Sequence, residues 1–202
     1  MYINDLGQAE IEEVNRGIAG ANYGWSQREG TYATGYVYGL HDENIYPTTA
    51  GAAPGGSYTD PVAELEHLNG TSFALGSGFV YRGKAIPKLQ GKYVMQDIVS
   101  GNTYYFDPSE IPDGGQAPVY SLNFTLDGTP VLLNQAFGYN NYYSHRVDAR
   151  LSQDDLGELY TGLKSNGILY RLDATAVPEP TTLALLGMAA GLGLLTRRQA
   201  AG

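Results

Sequence analysis

The sequence predicts an all-β body followed by one C-terminal hydrophobic helix, and three observations carry that prediction. Glycine makes up 27 of the 202 residues, about twice its usual share, with no Gly-X-Y period, so collagen is excluded. Seventeen tyrosines fall in short runs between turn residues, the composition of aromatic-rich strands. From residue 77 onward, short strand-like runs alternate with turns. Hydrophobic content of 43% is too high for a disordered chain, and the length is enough to bury a core. The formal net charge of −9 argues against a nucleic-acid partner, which needs basic surface to meet phosphates. The absence of cysteine excludes disulfides, thiolate metal sites and a cysteine nucleophile.

Taken in order, residues 35–70 are rich in glycine and proline and read as a long excursion over a surface. Within them, 61–68 has the marks of a short helical turn, with Asp60 as cap and Pro61 in the first turn. Candidate strands follow at 78–82, 91–97 and 103–107, the last two separated by Ser100-Gly101-Asn102. Asp113-Gly114-Gly115 and Asp127-Gly128 are hairpin signals. A final strand pair, 158–161 and 168–172, flanks Ser165-Asn166-Gly167. Strands of this length and spacing fit a sandwich, a barrel or propeller blades, and periodicity alone does not choose among them.

The composition breaks at Val177, so the chain divides into a body, 1–176, and a tail, 177–202. Val177-Pro178-Glu179-Pro180 is followed by an uncharged, mostly apolar run, 181–196, and then by Arg197-Arg198. The run has no polar face, and its 16 residues give a helix of about 24 Å. That is short for a bilayer core of about 30 Å, yet sufficient where flanking residues reach the interface. The two arginines stand where a cytoplasmic end is expected. Pro-Glu-Pro, apolar helix and basic end together resemble a PEP-CTERM sorting signal. The resemblance implies export, anchoring in the inner membrane facing the periplasm through a transmembrane helix at about 181–196, and processing by an exosortase-type enzyme. After processing, the protein would be at the cell surface or outside the cell. Removing Glu179, Arg197 and Arg198 leaves a body with 10 basic and 20 acidic residues.

Three groups of body segments carry a second resemblance. The first is Asp5-Leu6-Gly7-Gln8, Glu12-Glu13-Val14-Asn15 and Gly20-Ala21-Asn22-Tyr23-Gly24-Trp25. The second is Gly78-Phe79-Val80-Tyr81-Arg82-Gly83 with Leu89-Gln90-Gly91-Lys92-Tyr93 and Asp97. The third is His145-Arg146-Val147-Asp148, Gly157-Glu158-Leu159-Tyr160 and Gly167-Ile168-Leu169-Tyr170-Arg171-Leu172. In this order they resemble the C-terminal half of the glucose/sorbosone dehydrogenases, soluble aldose sugar dehydrogenases built as six-bladed β-propellers around pyrroloquinoline quinone (PQQ) and calcium. The resemblance covers most of residues 3–173 and implies a partial propeller for the body.

It also implies site residues and a sugar substrate. PQQ is a flat tricarboxylate, which calls for arginine forks and aromatic surface. Arg82 and Arg146 match basic positions at the cofactor, and Tyr23 and Trp25 fall in the loop at the mouth of the cofactor and sugar site, where an aromatic face can stack. Gly7 and Gln8 match positions whose main-chain carbonyls bind the calcium, a hard cation suited to oxygen ligands. The complete enzyme would oxidise an aldose at C1 to a lactone. The sequence departs from the pattern in several places. The histidine that acts as general base belongs to an earlier blade, and an Arg-Asn pair that contacts PQQ belongs just upstream of Gly7. His41, His67 and His145 match no base position and read as surface or structural residues. Leu6 stands where the glucose enzymes have glutamine, and Ser144 where they have a second arginine. The expectation is therefore a fragment that lacks the base and is inactive alone, preceded in the natural protein by further blades and an export leader. The alternative is a non-catalytic, surface-anchored propeller serving as a binding or extracellular-matrix protein.

Overall fold

A computed structural model describes residues 1–8, 10–40, 44–46, 57–67, 74–133, 147–164 and 167–174. The first sheet is formed by β1 (Tyr2–Asp5), β2 (Ile11–Arg16) and, after an insertion, β6 (Ala63–Glu66), all antiparallel with β2 in the centre. The insertion is a small sheet of its own, β3 (Arg28–Glu29), β4 (Tyr32–Thr34) and β5 (Ile45–Tyr46). The helical turn expected at 61–68 is instead strand β6. Its run Ala63-Glu64-Leu65-Glu66 is too short to close a stable helix and gains four partners along β2.

The second sheet is an antiparallel meander of β7 (Leu75–Val80), β8 (Tyr93–Asp97), β9 (Thr103–Phe106) and β10 (Tyr120–Leu122). Three of its four strands coincide with expected runs. The β8–β9 turn is held by Asp97, whose carboxylate accepts from the Ser100 amide at 2.5 Å and hydroxyl at 2.6 Å. Asp113-Gly114-Gly115 is no strand-to-strand hairpin but lies inside the long β9–β10 connection, whereas Asp127-Gly128 does join β11 (Phe124–Leu126) to β12 (Thr129–Val131). A third sheet, β13 (Ala149–Gln153), β14 (Leu159–Leu163) and β15 (Leu169–Arg171), ends the described chain.

The three larger sheets stack in series, and the pleat of β8 shows how. Successive side chains of a strand point to opposite faces. Tyr93 and Met95 therefore join Tyr104 and Phe106 in a core shared with Val14 and Ala63 of the first sheet. Val94, on the other face, packs with Tyr81, Leu151, Leu159 and Leu172 of the third. All five residues of β8 are buried as a result. Between sheets, the first strands approach most closely: β1 meets β7, and β7 meets β13. Buried polar groups tie the layers. The Gln96 amide bonds the Thr161 hydroxyl at 3.0 Å, and the Asn4 amide donates to the Gly76 carbonyl at 2.5 Å. Glu12, fully buried, accepts from the Leu75 amide at 2.5 Å and pairs with His67 at 2.6 Å, which gives that histidine the structural place expected of it. The outer face of β13–β15, with Arg150 and Ser152, stays exposed.

The described residues are mostly β and form antiparallel sheets in a row, not a closed barrel or ring. No helix among them is long and apolar enough to cross a membrane. The expected helix at 181–196 lies outside the described residues, as do His41, His145, Ser144 and Arg146.

Candidate functional site

The best-formed concavity near the expected site residues is a cleft of about 190 Å³ at the end of β1. Its lining comes from Asp5, Leu6, Gly7 and Gln8 at the end of β1, from Ile11 and Glu13 of β2, and from Trp25, Arg28 and Glu29 at and before β3. Three of the residues singled out in the sequence, Gly7, Gln8 and Trp25, are thus brought together. Trp25 stands on the rim, 57% exposed. Glycine at position 7 has a steric cause: a Cβ there would lie 2.0 Å from the Ile11 carbonyl oxygen and 2.6 Å from a Glu29 carboxylate oxygen. That carboxylate is held in place by the Glu10 and Ile11 amides, each donating at 2.7 Å.

Tyr23 is not in the cleft lining. Its hydroxyl donates to the Arg16 carbonyl at 2.7 Å and accepts from the Ile18 amide at 3.0 Å, so it staples the loop that follows β2. Arg82 lies elsewhere too, exposed just beyond β7, and Arg146 falls outside the described residues.

Sequence reasoning missed the acidic character of the cleft. Cross-strand register sets Asp5 opposite Glu13, and Glu13 opposite Glu64, a row of three carboxylates on one face of the first sheet. Like charges directly opposite repel. Glu13, in the middle, is buried; one oxygen accepts from the Asn15 amide at 2.9 Å, and the other meets no hydrogen-bond partner among the described residues. Burial pushes its carboxyl up to about 7, with the Asp5 and Glu64 charges adding to the effect. Burial also raises Asp5 and Glu64, the latter opposed by bonds from Gln116 and Thr31. The available signal was the pair Glu12-Glu13 between Ile11 and Val14, the apolar residues of the strand.

The one cation of the cleft is already engaged. Arg28 bonds Asp60 at 2.9 Å and the Thr31 carbonyl at 3.1 Å, and lies 5.5 Å from the centre of the Tyr58 ring. A tricarboxylate such as PQQ would meet Asp5, Glu13 and Glu29 against this single paired arginine, so the cleft lining does not fit that cofactor. Oxygen donors suit calcium better. Yet among the described residues no group of three or more His, Cys, Asp or Glu is placed to hold a metal ion, and the Gly7 and Gln8 carbonyls are two donors where calcium takes six to eight.

The two segments of the second resemblance that lie in β7 and β14 do meet. Tyr81, fully buried, donates its hydroxyl to Glu158 at 2.6 Å and accepts from the Ile86 amide at 2.9 Å. Glu158 also receives the Lys84 amide at 2.7 Å and the Ala85 amide at 3.1 Å, and these bonds hold its carboxyl below the usual range, Tyr81 contributing most. Burial, then the bond to Glu158, pushes the Tyr81 phenol up to about 12. Gly83 fits because a Cβ there would come 2.3 Å from the Glu158 carboxylate. A clasp of Tyr81, Gly83, Gly157 and Glu158 therefore joins the second sheet to the third.

Comparison with known families decides the C-terminal tail. The model of the PEP-CTERM protein-sorting motif matches residues 176–199. The tail is a sorting signal. A PEP-CTERM tail marks an exported protein directed to the cell surface and processed by an exosortase-type enzyme. It begins two residues after Ala174, whose amide donates to the Ala85 carbonyl at 3.2 Å, so the PEP-CTERM tail is rooted at the loop that the clasp secures.

Proposed function

We propose that this chain is a section of an exported sugar dehydrogenase-like β-propeller, held at the inner membrane through 181–196 until an exosortase-type enzyme removes the tail. The observation that carries the reading is the Tyr81–Glu158 clasp. Two segments 77 residues apart that resemble the glucose/sorbosone dehydrogenases form one inter-sheet junction, and their glycines sit where a side chain would collide. The serial stack of antiparallel sheets, in closest contact through their first strands, is the arrangement expected of neighbouring blades. In the complete enzyme the reaction would be oxidation of an aldose at C1 to a lactone, with PQQ and calcium as cofactors. Because the cleft lining is anionic, no catalytic step is assigned to it. This chain contributes scaffold, and the general base belongs to another blade.

The test is to isolate the protein from its producing cells, measure its intact mass, and assay aldose-dependent dye reduction with added PQQ and calcium. A polypeptide longer than 202 residues with quinone-dependent turnover is expected, together with no turnover from the 202-residue chain alone. Robust turnover by that chain would overturn the assignment of the base to another blade. A second reading, a non-catalytic surface binding protein, is favoured by the cleft itself, which has no histidine in its lining and its sole arginine paired. A mature protein that carries no quinone and oxidises no aldose would establish it.

A further inference from the structure

The loop that roots the tail is basic in an acidic protein. Arg82, Lys84 and Lys88 lie within seven residues and supply three of the ten cations of the body. All three are exposed, and no described residue pairs with their side chains. The one carboxylate beneath the loop, Glu158, is taken by Tyr81 and by loop amides rather than by these cations. Beside the loop, the β13–β14 turn brings up Leu156, 80% exposed. That turn is fixed against the loop: Asp154 accepts from the Leu156 and Glu158 amides at 2.9 Å, and the Gly157 Cβ position lies 2.9 Å from Arg82. Of the acids nearby, Asp173 is paired with Arg171 at 2.9 Å, Asp155 is exposed, and Asp154 and Glu158 are half-buried carboxylates whose oxygens are turned to amides and tyrosine hydroxyls.

We infer that Arg82, Lys84 and Lys88, with the exposed Leu156 of the adjoining turn, form a surface that docks on anionic lipid headgroups of the membrane that receives the tail. Two observations carry this. These cations have no ion-pair partner among the described residues while the body as a whole is acidic, so an anionic bilayer meets less repulsion here than over the acidic remainder. The tail also departs from here. Six residues, 175–180, separate Ala174 from the apolar run, a tether of at most about 25 Å. An exposed leucine among cations is the composition of interfacial contacts, where the apolar group enters the headgroup boundary and the charges meet phosphates. The inference rests on the reading of 181–196 as a membrane segment.

The chain has no cysteine, so Leu156→Cys supplies a single attachment site for a fluorophore. The labelled full chain is incorporated into vesicles of phosphatidylcholine, or of phosphatidylcholine with phosphatidylglycerol, each carrying a headgroup-attached quencher. Strong quenching is expected only with phosphatidylglycerol, and it should fall as salt is raised. Each cation at an anionic surface contributes about fivefold, so Arg82→Gln, Lys84→Gln and Lys88→Gln together should lower the docked-to-free ratio roughly a hundredfold. Insertion of the tail, read separately as resistance to alkaline extraction, should not change. Tail insertion with quenching indifferent to phosphatidylglycerol, salt and charge would overturn the docking surface and leave the membrane reading standing. A chain extracted from both kinds of vesicle would overturn the membrane reading and the docking surface with it. Capture of heparin by the loop without quenching on anionic vesicles would overturn the lipid assignment in favour of an acidic polysaccharide.

Discussion

Glu13 shows how much of the cleft is decided by one proton. Its carboxyl is raised from 4.5 to about 7, first by burial. The folded state therefore keeps a proton that the unfolded chain has already released between those two values. The contribution of Glu13 to stability is greatest below about pH 4.5, falls as pH rises toward 7, and is gone above that. For one proton the slope is at most about 1.4 kcal/mol per pH unit. Asp5 and Glu64, also raised, add slopes of the same sign just above the ordinary carboxylate range. Glu13→Gln keeps the shape and a bond to Asn15 without the charge. Urea midpoints measured across pH 4–8 should show the slope above pH 5 flattened in the variant, with the variant more stable than the native chain at pH 8. Parallel curves would show that Glu13 does not hold this proton.

At the scale of elements, the second sheet was the most legible part of the sequence, because β8 and β9 flank a turn of small residues whose chemistry is local and three of the four residues of β9 are aromatic. Strand β6 was not legible. Ala63-Glu64-Leu65-Glu66 follows a helix-starting Asp-Pro, and only pairing with β2, some 50 residues away in sequence, makes it a strand. The acidic row was hidden for the same reason, since Asp5, Glu13 and Glu64 become neighbours through register and not through spacing. The clasp was legible as motif but not as mechanism. Nothing local says that Gly157 is small because Arg82 lies against it. This predicts unequal costs for two glycines in similar backbone conformations. Gly157, at φ +82°, has Arg82 backbone 2.9 Å from its Cβ position, whereas Gly128, at φ +80°, has open space. Gly128→Ala should cost about 1–2 kcal/mol for the left-handed conformation alone. Gly157→Ala adds a collision of about 1–3 kcal/mol. Urea denaturation of both variants measures the difference, and equal losses would remove the collision from the account.

For the whole molecule, a body of stacked sheets ends where a sorting signal begins, and the two are separable in sequence and in role. The Pro178-Glu179-Pro180 sequence belongs wholly to the signal. Replacing all three by alanine should leave the fold of 1–174 unchanged and block processing in a cell that carries the exosortase-type enzyme. The measurement is the mass of the protein recovered from the envelope and the medium. Native protein should appear shortened, and the variant should keep its tail; shortening of both would place recognition elsewhere.

The root of the tail also settles where such a protein would yield to force. A load pulled through the tail reaches the single Ala174–Ala85 hydrogen bond first. It then reaches β15, a three-residue edge strand bonded only to β14. Between the two stands Leu172, packed against Val94 of β8, so a tug on the tether loads the core between the second and third sheets as soon as that first bond gives.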